Sequence, residues 1–425
     1  MNSRIKGLVN AGMLVLGLQS ASNVYAGSDS DTRLLDILLK KGTITQQEHD
    51  ELKDTIKDDV NVSTKDGQLK FSSAEGDFNF QVGGRLMVDS ARYFDDEADI
   101  NNGTELRRAR MFVEGEVYND WKFKSQVDFA GDKVTIKDAW FRYAGLDPVD
   151  ITAGNFKEPF SLEELTSSKY ITFMERALPN AFAPSRHVGI GVNHVGDKLT
   201  AAGGIFADSV GADNGNGNEG NGVAGRLTYT PIKEKNRIIH FGASAEYRKH
   251  TDDAVRYRER PESHISNVRL VDTGTLNSVD HTTQWGLETA AVMGPFSAQG
   301  EYIRVSVDRN RNSDLDFNGW YAFASWFATG ESRHYKKGAF GRVKPKSVVG
   351  KGGHGAWEIA ARISKIDLTD SGVDGGEQKN FTLGVNWYAT PSIRFMANYV
   401  NVFDQNRRGT SDEPSLVQVR GQIDF

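Results

Sequence analysis

The last ten residues, 416-LVQVRGQIDF-425, alternate between apolar and polar side chains. In an extended chain, Val417, Val419 and Ile423 share one face with Phe425, while Gln418, Arg420, Gln422 and Asp424 share the other. A period of two predicts a β-strand whose two faces meet different surroundings. An edge strand of a soluble sandwich would give the same alternation, so these ten residues alone leave the two surroundings open.

The start of the chain predicts export. Residues 1–26 combine a basic beginning (Arg4, Lys6), an apolar run over residues 7–18, and the ending Val24-Tyr25-Ala26 with small residues at positions −3 and −1. This pattern is typical of a secretory signal peptide, and the run is shorter than the ~20 residues of a membrane helix. An exported chain with an aromatic carboxy-terminal strand resembles bacterial outer-membrane barrels. That likeness implies that Phe425 contacts the barrel-assembly machinery.

Alternating segments recur from residue 76 to the end, separated by links that alternate between short and long, as in transmembrane barrels. We therefore predict an all-β fold, a 16-stranded antiparallel transmembrane β-barrel over residues 76–425, with both ends in the periplasm. The hydrophobic fraction of 38% suits this fold, because only alternate residues face lipid. The predicted strands are 76–94, 106–118, 121–129, 134–143, 149–156, 187–194, 199–208, 222–230, 238–248, 282–293, 296–307, 317–329, 355–366, 379–389, 393–402 and 416–425.

Residues 27–75 have a helical pattern instead. Leu34, Leu35, Leu38 and Leu39 form an apolar stripe, and Thr45 to Glu48 is a capping box that opens a second helix. We expect a short periplasmic helical or coiled-coil segment followed by a linker. An oligomerisation stalk and a loosely ordered acidic linker both remain open.

Composition excludes several function classes. The chain has no cysteine, which rules out disulfides and Cys-ligated metals, and its formal charge of −6 does not suit a nucleic-acid binder. It has no GxSxG or HExxH motif, and its nine histidines lack ligand spacing. We therefore expect no catalytic residues, no metal and no cofactor. A barrel hydrolase stays as a remote alternative with no candidate residues.

Several motifs resemble the phosphate-selective porins of the O/P type. They are residues 138–143, 155–161, 166–169, 173–176, 260–264, 329–333 and 338–340. The resemblance implies a homotrimer of sixteen-stranded barrels in the outer membrane, in contact with lipid and lipopolysaccharide, with segments folded into each lumen. It also implies passive uptake of phosphate or related anions. A general diffusion porin with weak selectivity is the alternative.

The strands do not reveal the selectivity. Among the predicted lumen-facing strand positions, eleven are basic and ten acidic. Arg85, Arg108, Arg110 and Arg142 are the expected lumen-lining arginines. The candidate constriction residues therefore lie in the long links: Lys169, Arg176 and Arg186 between residues 155 and 186, Arg258 and Arg260 between 250 and 280, and Lys336, Lys337, Arg342, Lys344 and Lys346 between 331 and 355. Internal ion pairing with neighbouring glutamates, or exposure on a solvated loop, are the alternative roles for the first two groups.

The segment 331–355 has the sharpest charge pattern in the sequence. Seven basic side chains stand against Glu331 alone, a formal charge of +6 in an acidic protein. Counting strands along the chain places this segment at the periplasmic end, where turns are short, and a count that is wrong by one strand would make it external. Inside the lumen it would attract anions toward the exit. On the surface it would contact acidic periplasmic components or lipid headgroups.

Overall fold

The computed structural model describes residues 29–57, 60–65, 68–73, 75–207, 210 and 219–425. The predicted signal peptide, residues 1–26, lies outside the described residues. Two helices open the described chain, α1 (Asp29–Lys40) and α2 (Gln46–Lys57), and a third, α3 (Leu162–Leu165), lies in a loop. Short 3₁₀ turns occupy Leu178–Ala181 and Thr251–Asp253. None of the helices in this part of the chain is long and apolar enough to cross a bilayer.

Twenty-four strands follow within the described residues, and sixteen of them form the barrel. In chain order they are β1 (Val60–Lys65), β2 (Gln68–Ser73), β3 (Phe78–Phe94), β4 (Gly103–Val117), β5 (Trp121–Asp128), β6 (Thr135–Leu146), β7 (Val149–Lys157), β8 (Arg186–Val195), β9 (Leu199–Ala207), β10 (Asn221–Glu234), β11 (Arg237–Lys249), β12 (Ala254–Val255), β13 (Arg258–Glu259), β14 (Val271–Asp272), β15 (Leu276–Asn277), β16 (Val279–Met293), β17 (Phe296–Arg309), β18 (Leu315–Phe327), β19 (Tyr335–Lys336), β20 (Ala339–Phe340), β21 (Ala356–Asp370), β22 (Val373–Tyr388), β23 (Ile393–Asn406) and β24 (Ser415–Asp424). The barrel excludes β1, β2 and the two-residue strands.

The barrel closes on itself with antiparallel pairing throughout. Strand β24 pairs with β3, from Ser415 opposite Phe94 to Asp424 opposite Arg85. Closure satisfies the backbone hydrogen bonds without water, as a membrane-spanning sheet requires. The prediction of sixteen antiparallel strands is confirmed. Strands β21 and β22 extend beyond the predicted limits, because their external hairpin continues to pair up to Asp370 and Val373.

The alternation of the last strand has the predicted physical cause. Val417, Val419 and Ile423 are exposed on the outer face, where lipid would lie, at 41–49% of their surface. Gln418, Arg420, Gln422 and Asp424 point inward and are no more than 5% exposed. The inner face is therefore polar and well packed, rather than open to a wide water-filled lumen.

The amino-terminal segment combines the predicted helices with an unpredicted hairpin. The capping box forms, with Glu48 N donating to Thr45 Oγ1 at 3.2 Å. Strands β1 and β2 then form a hairpin that adds to β3 from Leu69 opposite Val82 to Ser72 opposite Asn79. This part of β3 lies beyond the reach of β24, so the hairpin covers backbone groups at the periplasmic rim. The sequence alone did not indicate it, because both strands are short and largely polar.

Three inward-folded segments fill one side of the lumen. The first is residues 158–185 between β7 and β8, the second 250–278 between β11 and β16, and the third 328–355 between β18 and β21. Phe160 of the first segment and Val271 of the second pack with Val305 and Phe317 of the wall, all fully or almost fully buried. Tyr335 and Phe340 of the third segment belong to another apolar cluster. This packing leaves an off-centre channel beside β3–β9.

Candidate anion channel

A cavity of about 730 Å³ lies in the lumen between the wall of β3–β8 and the segment 158–185. Of the described residues that line it, ten are basic and three acidic. The basic ones are Arg85, Arg108, Arg110, Lys124, Lys137, Arg142, Lys157, Lys169, Arg176 and Arg186, and the acidic ones are Glu114, Asp138 and Glu164. The barrel as a whole has no such excess, since Glu246, Glu288, Glu301 and Glu358 lie on the filled side. Folding therefore separates charges that the sequence shows as balanced.

Arg85 carries a charge that no carboxylate in the described chain pairs with directly. Its guanidinium donates to Ser168 Oγ at 2.7 Å, to Ser167 Oγ at 3.4 Å and to Gln126 Oε1 at 3.5 Å. All three partners are neutral, and the side chain is 6% exposed. Because its partners leave the positive charge uncompensated, Arg85 is well placed to attract an anion in the channel.

Lys169 lies beside Arg85, in the inward segment and not in a spanning strand. Its Nζ is 3.8 Å from Asp424 Oδ1, a distance at which the ion pair is loose. The ammonium also lies 5.6 Å from the ring centre of Phe112 and 5.3 Å from that of Tyr170. Burial lowers the pKa of Lys169 to about 8; Asp424 opposes this shift, while nearby cations such as Arg85 add to it. The charge of Lys169 therefore depends on pH in the mildly alkaline range.

Other predicted residues line the channel but are held in ion pairs. Arg186 Nε donates to Asp138 Oδ1 at 2.8 Å, and Arg110 Nε donates to Asp128 Oδ2 at 2.7 Å. Arg176 donates to the carbonyl oxygens of Glu163, Glu164 and Thr166 at 2.9–3.1 Å. Its Nε also lies 3.3 Å from Glu164 Oε2, so Arg176 forms an internal ion pair with a neighbouring glutamate and fixes the turn of the inward segment, while it also borders the cavity.

The predicted strand arginines face the lumen. A β-bulge turns one further arginine inward, which the alternating pattern of the sequence did not predict. The register of β3 and β4 shifts between Met87 and Val88. As a result Arg108 lines the channel while its neighbour Arg107 also points inward, forming a bidentate pair with Glu175 at 2.8 Å. Arg142 lies over the ring of Trp140 at 4.9 Å and donates to Thr152 Oγ1 at 2.8 Å. The bulge shifts the alternation by one residue, since Leu106 and Met111 both face outward although they are five positions apart. Strict alternation counted from Met111 therefore puts Arg107 on the outer face.

The structure does not bring Arg258 and Arg260 to the channel lining. Arg258 is exposed in the external segment 250–278. Arg260 donates to Asn267 Oδ1 at 2.6 Å within the same segment. These two arginines are therefore not part of the lining of this cavity, and their role in a constriction stays a prediction.

The basic segment 331–355 lies at the barrel end that carries the carboxy terminus, which the sequence predicts to be periplasmic, and it enters the lumen. Arg342 forms an ion pair with Asp424 and donates to the carbonyl of Pro391, both at periplasmic strand ends. Further in, Phe340 N donates to Thr166 Oγ1 at 3.4 Å, so that this segment meets the external one inside the barrel.

Only some of the basic side chains of this segment lie inside the lumen. Lys337 borders a second cavity of about 270 Å³ that adjoins the main one. Lys336, Lys344 and Lys346 are exposed near the periplasmic mouth, and Lys346 Nζ donates to the carbonyl of Gly330 at 2.5 Å. The tip of the segment therefore enters the lumen, whereas most of its lysines stay at the mouth of the barrel.

Arg362 holds two inward segments against the wall. It is 1% exposed, donates to the carbonyl of Glu175 at 3.1 Å, and pairs with Glu262 Oε2 at 2.7 Å. Glu262 also accepts from Ser364 and Thr382 at 2.5 and 2.7 Å. Two strands away on the same side of the barrel, Glu301 accepts from the backbone N–H groups of Leu162 and Glu163 at 3.0 and 2.7 Å. These contacts hold the inward segments in place and so set the width of the channel. The alternating pattern of the strands does not predict this role.

A closed sixteen-stranded barrel with an apolar exterior and a charged, partly filled lumen is the architecture of an outer-membrane porin. Comparison with known proteins agrees. The family "Phosphate-selective porin O and P" matches residues 80–425. Porin O of Pseudomonas aeruginosa is 30% identical over 406 residues, covering 84% of this chain and 91% of the relative. The chain belongs to this porin family.

Solved structures share the fold at low sequence identity. The outer membrane channel DcaP of Acinetobacter baumannii superposes with a TM-score of 0.54 at 12% identity, covering 84% of this chain and 99% of that one. An anion-selective porin from Comamonas acidovorans gives 0.52 at 13% identity, covering 81% and 100%. At these identities the likeness shows the barrel architecture, and selectivity has to be argued from this chain's own residues.

Proposed function

We propose that the channel conducts small anions passively and prefers phosphate-like oxyanions. The observation that carries this proposal is the excess of ten basic over three acidic lining residues in one narrow cavity. Field strength rises in a narrow passage with low-dielectric walls, so this excess raises the local anion concentration and repels cations. No bond is made or broken in this function.

The donors near Arg85 suit an oxyanion better than a simple halide. Arginine presents a planar fork, lysine a point charge, and the hydroxyls of Ser167 and Ser168 can turn as donors or acceptors. Together these groups replace part of the hydration of an oxyanion through charge-assisted hydrogen bonds. Because Arg85 and Lys169 are not held by a close carboxylate, an anion competes with weak partners there and can also leave.

The surroundings of the channel belong to the same proposal. The signal peptide would direct the chain to the bacterial outer membrane, where lipid and lipopolysaccharide contact the apolar exterior. Phe425, at the closing seam, would be read by the barrel-assembly machinery. We further propose a homotrimer, as the family resemblance implies, with residues 27–75 in the periplasm. Lys336 and Lys344, exposed at the exit, would extend the positive field beyond the channel.

Single-channel recording in a salt gradient tests the selectivity. We expect a reversal potential on the anion side and block of the chloride current by added phosphate. Arg85→Gln and Lys169→Gln should each weaken both effects. Arg237→Gln serves as the control, since Arg237 lies outside the lumen, 62% exposed, and pairs with Glu234 at 3.5 Å.

A general diffusion porin with weak selectivity predicts a different result. Its reversal potential would stay near zero and phosphate would not block the chloride current. The same outcome for Arg85→Gln and Arg237→Gln would also contradict the proposed constriction.

A further inference from the structure

The second cavity lies directly beside the main channel. It has a volume of about 270 Å³ and shares Arg142, Phe156, Lys157 and Leu165 with the channel lining. Pro159, Ala202 and Ala339 add apolar surface to the wall, which also includes the polar side chains of Thr152, Asn193, Thr200 and Thr228 and the cations Arg226 and Lys337. The cavity is therefore a side pocket with a partly apolar wall, and it adjoins the proposed anion path at Arg142 and Lys157, which line both cavities.

The apolar wall is held in place by its neighbours. The ring of Phe156 lies against Gly191, where a Cβ would come within 3.0 Å of the ring. Phe206 packs edge-on against the same ring at a centroid distance of 5.4 Å. Small residues on the facing strands, such as Ala202, leave the remaining space open. The pocket thus follows from glycine and alanine at lumen-facing positions, where a larger side chain would fill it.

A hydrated inorganic anion gains nothing from such a wall, whereas an apolar group attached to an anion is removed from water there. A cavity of about 150 Å³ holds benzene in another protein, so this larger pocket has room for one phenyl ring. We propose that the side pocket receives the apolar substituent of a small organic phosphate while the cations of the channel bind its phosphate group. This inference rests on the proposed anion function and names a substrate class for it.

Matched blockers test this inference on the full-length porin in a planar bilayer. Phenyl phosphate and methyl phosphate carry the same anionic group and differ in apolar size. Burial of about 55 Å² of ring surface corresponds to about a tenfold gain in binding. We therefore expect phenyl phosphate to half-block the chloride current at about one tenth of the methyl phosphate concentration.

A filled pocket provides the second arm. Ala202 pairs with the inward-facing Arg226, so Ala202→Phe should place a ring in the pocket and bring the two half-blocking concentrations together. Ala201 pairs with Leu227, whose side chain is 52% exposed on the outer face, and Ala201→Phe is the matched control that should keep the preference. Chloride conductance and block by inorganic phosphate report whether each variant has folded.

The outcomes separate the two proposals. Block by inorganic phosphate without any preference for phenyl phosphate would overturn the side pocket and leave the anion function standing. A phenyl preference that persists in Ala202→Phe would place the ring elsewhere and overturn the inference as well. Absence of block by every phosphate would instead contradict the anion function itself.

Discussion

Anion binding in the channel should weaken as Lys169 loses its proton. Burial lowers the pKa of this lysine to about 8, so the ammonium is charged at about pH 6.5 and largely neutral at about pH 9.5. Its surroundings include Asp424, Arg85, Arg342 and Lys124. A rise in pH through the pKa removes one positive charge from the constriction, and anion affinity should fall in the same interval.

The expected size of the effect follows from Coulomb's law. A unit charge about 4 Å from an anion contributes ~1 kcal/mol in bulk water and ~4 kcal/mol at an effective dielectric constant of about 20. The channel is water-filled but narrow, so ~1 kcal/mol is the smallest contribution expected from the Lys169 charge. Since 1.4 kcal/mol corresponds to about a factor of ten, the half-blocking anion concentration should rise at least about fivefold.

Sulfate is the suitable blocker, because its charge stays constant over this interval whereas that of phosphate changes. The measurement is the sulfate concentration that halves the single-channel chloride current at the two pH values. Lys169→Gln should bind sulfate weakly at both, and Lys169→Arg strongly at both, because a guanidinium keeps its proton. An equal pH response in the parent chain and in Lys169→Gln would refute the assignment to this residue.

Three further substitutions test the architecture. Arg362→Met should cost about 3–5 kcal/mol of barrel stability, because it leaves buried carboxylates unpaired, and should raise single-channel conductance as the inward segments loosen. Gly84→Ala places a Cβ 2.7 Å from the carbonyl oxygen of Arg110 and 2.8 Å from the ring of Phe425, so the seam should lose about 1–3 kcal/mol in thermal unfolding followed by gel mobility. Lys337→Gln should lower anion preference in reversal-potential measurements more than Lys346→Gln.

Gly84→Ala and Lys337→Gln have matched controls, and each of the three substitutions has a contradicting result. Gly225→Ala adds the same methyl group to a barrel strand, where the nearest atom outside its chain neighbours is 3.7 Å away, and should unfold like the parent chain. Equal stability of Gly84→Ala and Gly225→Ala would contradict close packing at the seam. Unchanged conductance in Arg362→Met would mean that other contacts hold the segments. Equal effects of the two lysine substitutions would place Lys346 as near the anion path as Lys337.

The strand order and the direction of nearly every strand side chain could be predicted from the sequence. Alternation between lipid and lumen is imposed residue by residue, so Val419 and Arg420 reveal their faces without knowledge of any partner strand. The capping box at Thr45 is equally local. The hairpin over residues 60–73 leaves no such local signal, and the bulge at Arg107 shows only as a one-residue shift of the alternation between Leu106 and Met111, because both features depend on the register of neighbouring strands.

The sequence by itself determined the sixteen-stranded barrel and predicted that its basic segment 331–355 lies at the end that carries both termini of the barrel, since hydrophobic period and strand number are properties of the linear chain. Only the tertiary structure decided where the charge acts. Eleven basic and ten acidic predicted lumen positions cancel when they are counted along the sequence. Folding places Glu288, Glu301 and Glu358 under packed segments and leaves Arg85 and Lys169 at the channel. The physical reason is that selectivity depends on distances between charges across the lumen, and those distances exist only once the barrel has closed and its loops have folded inward.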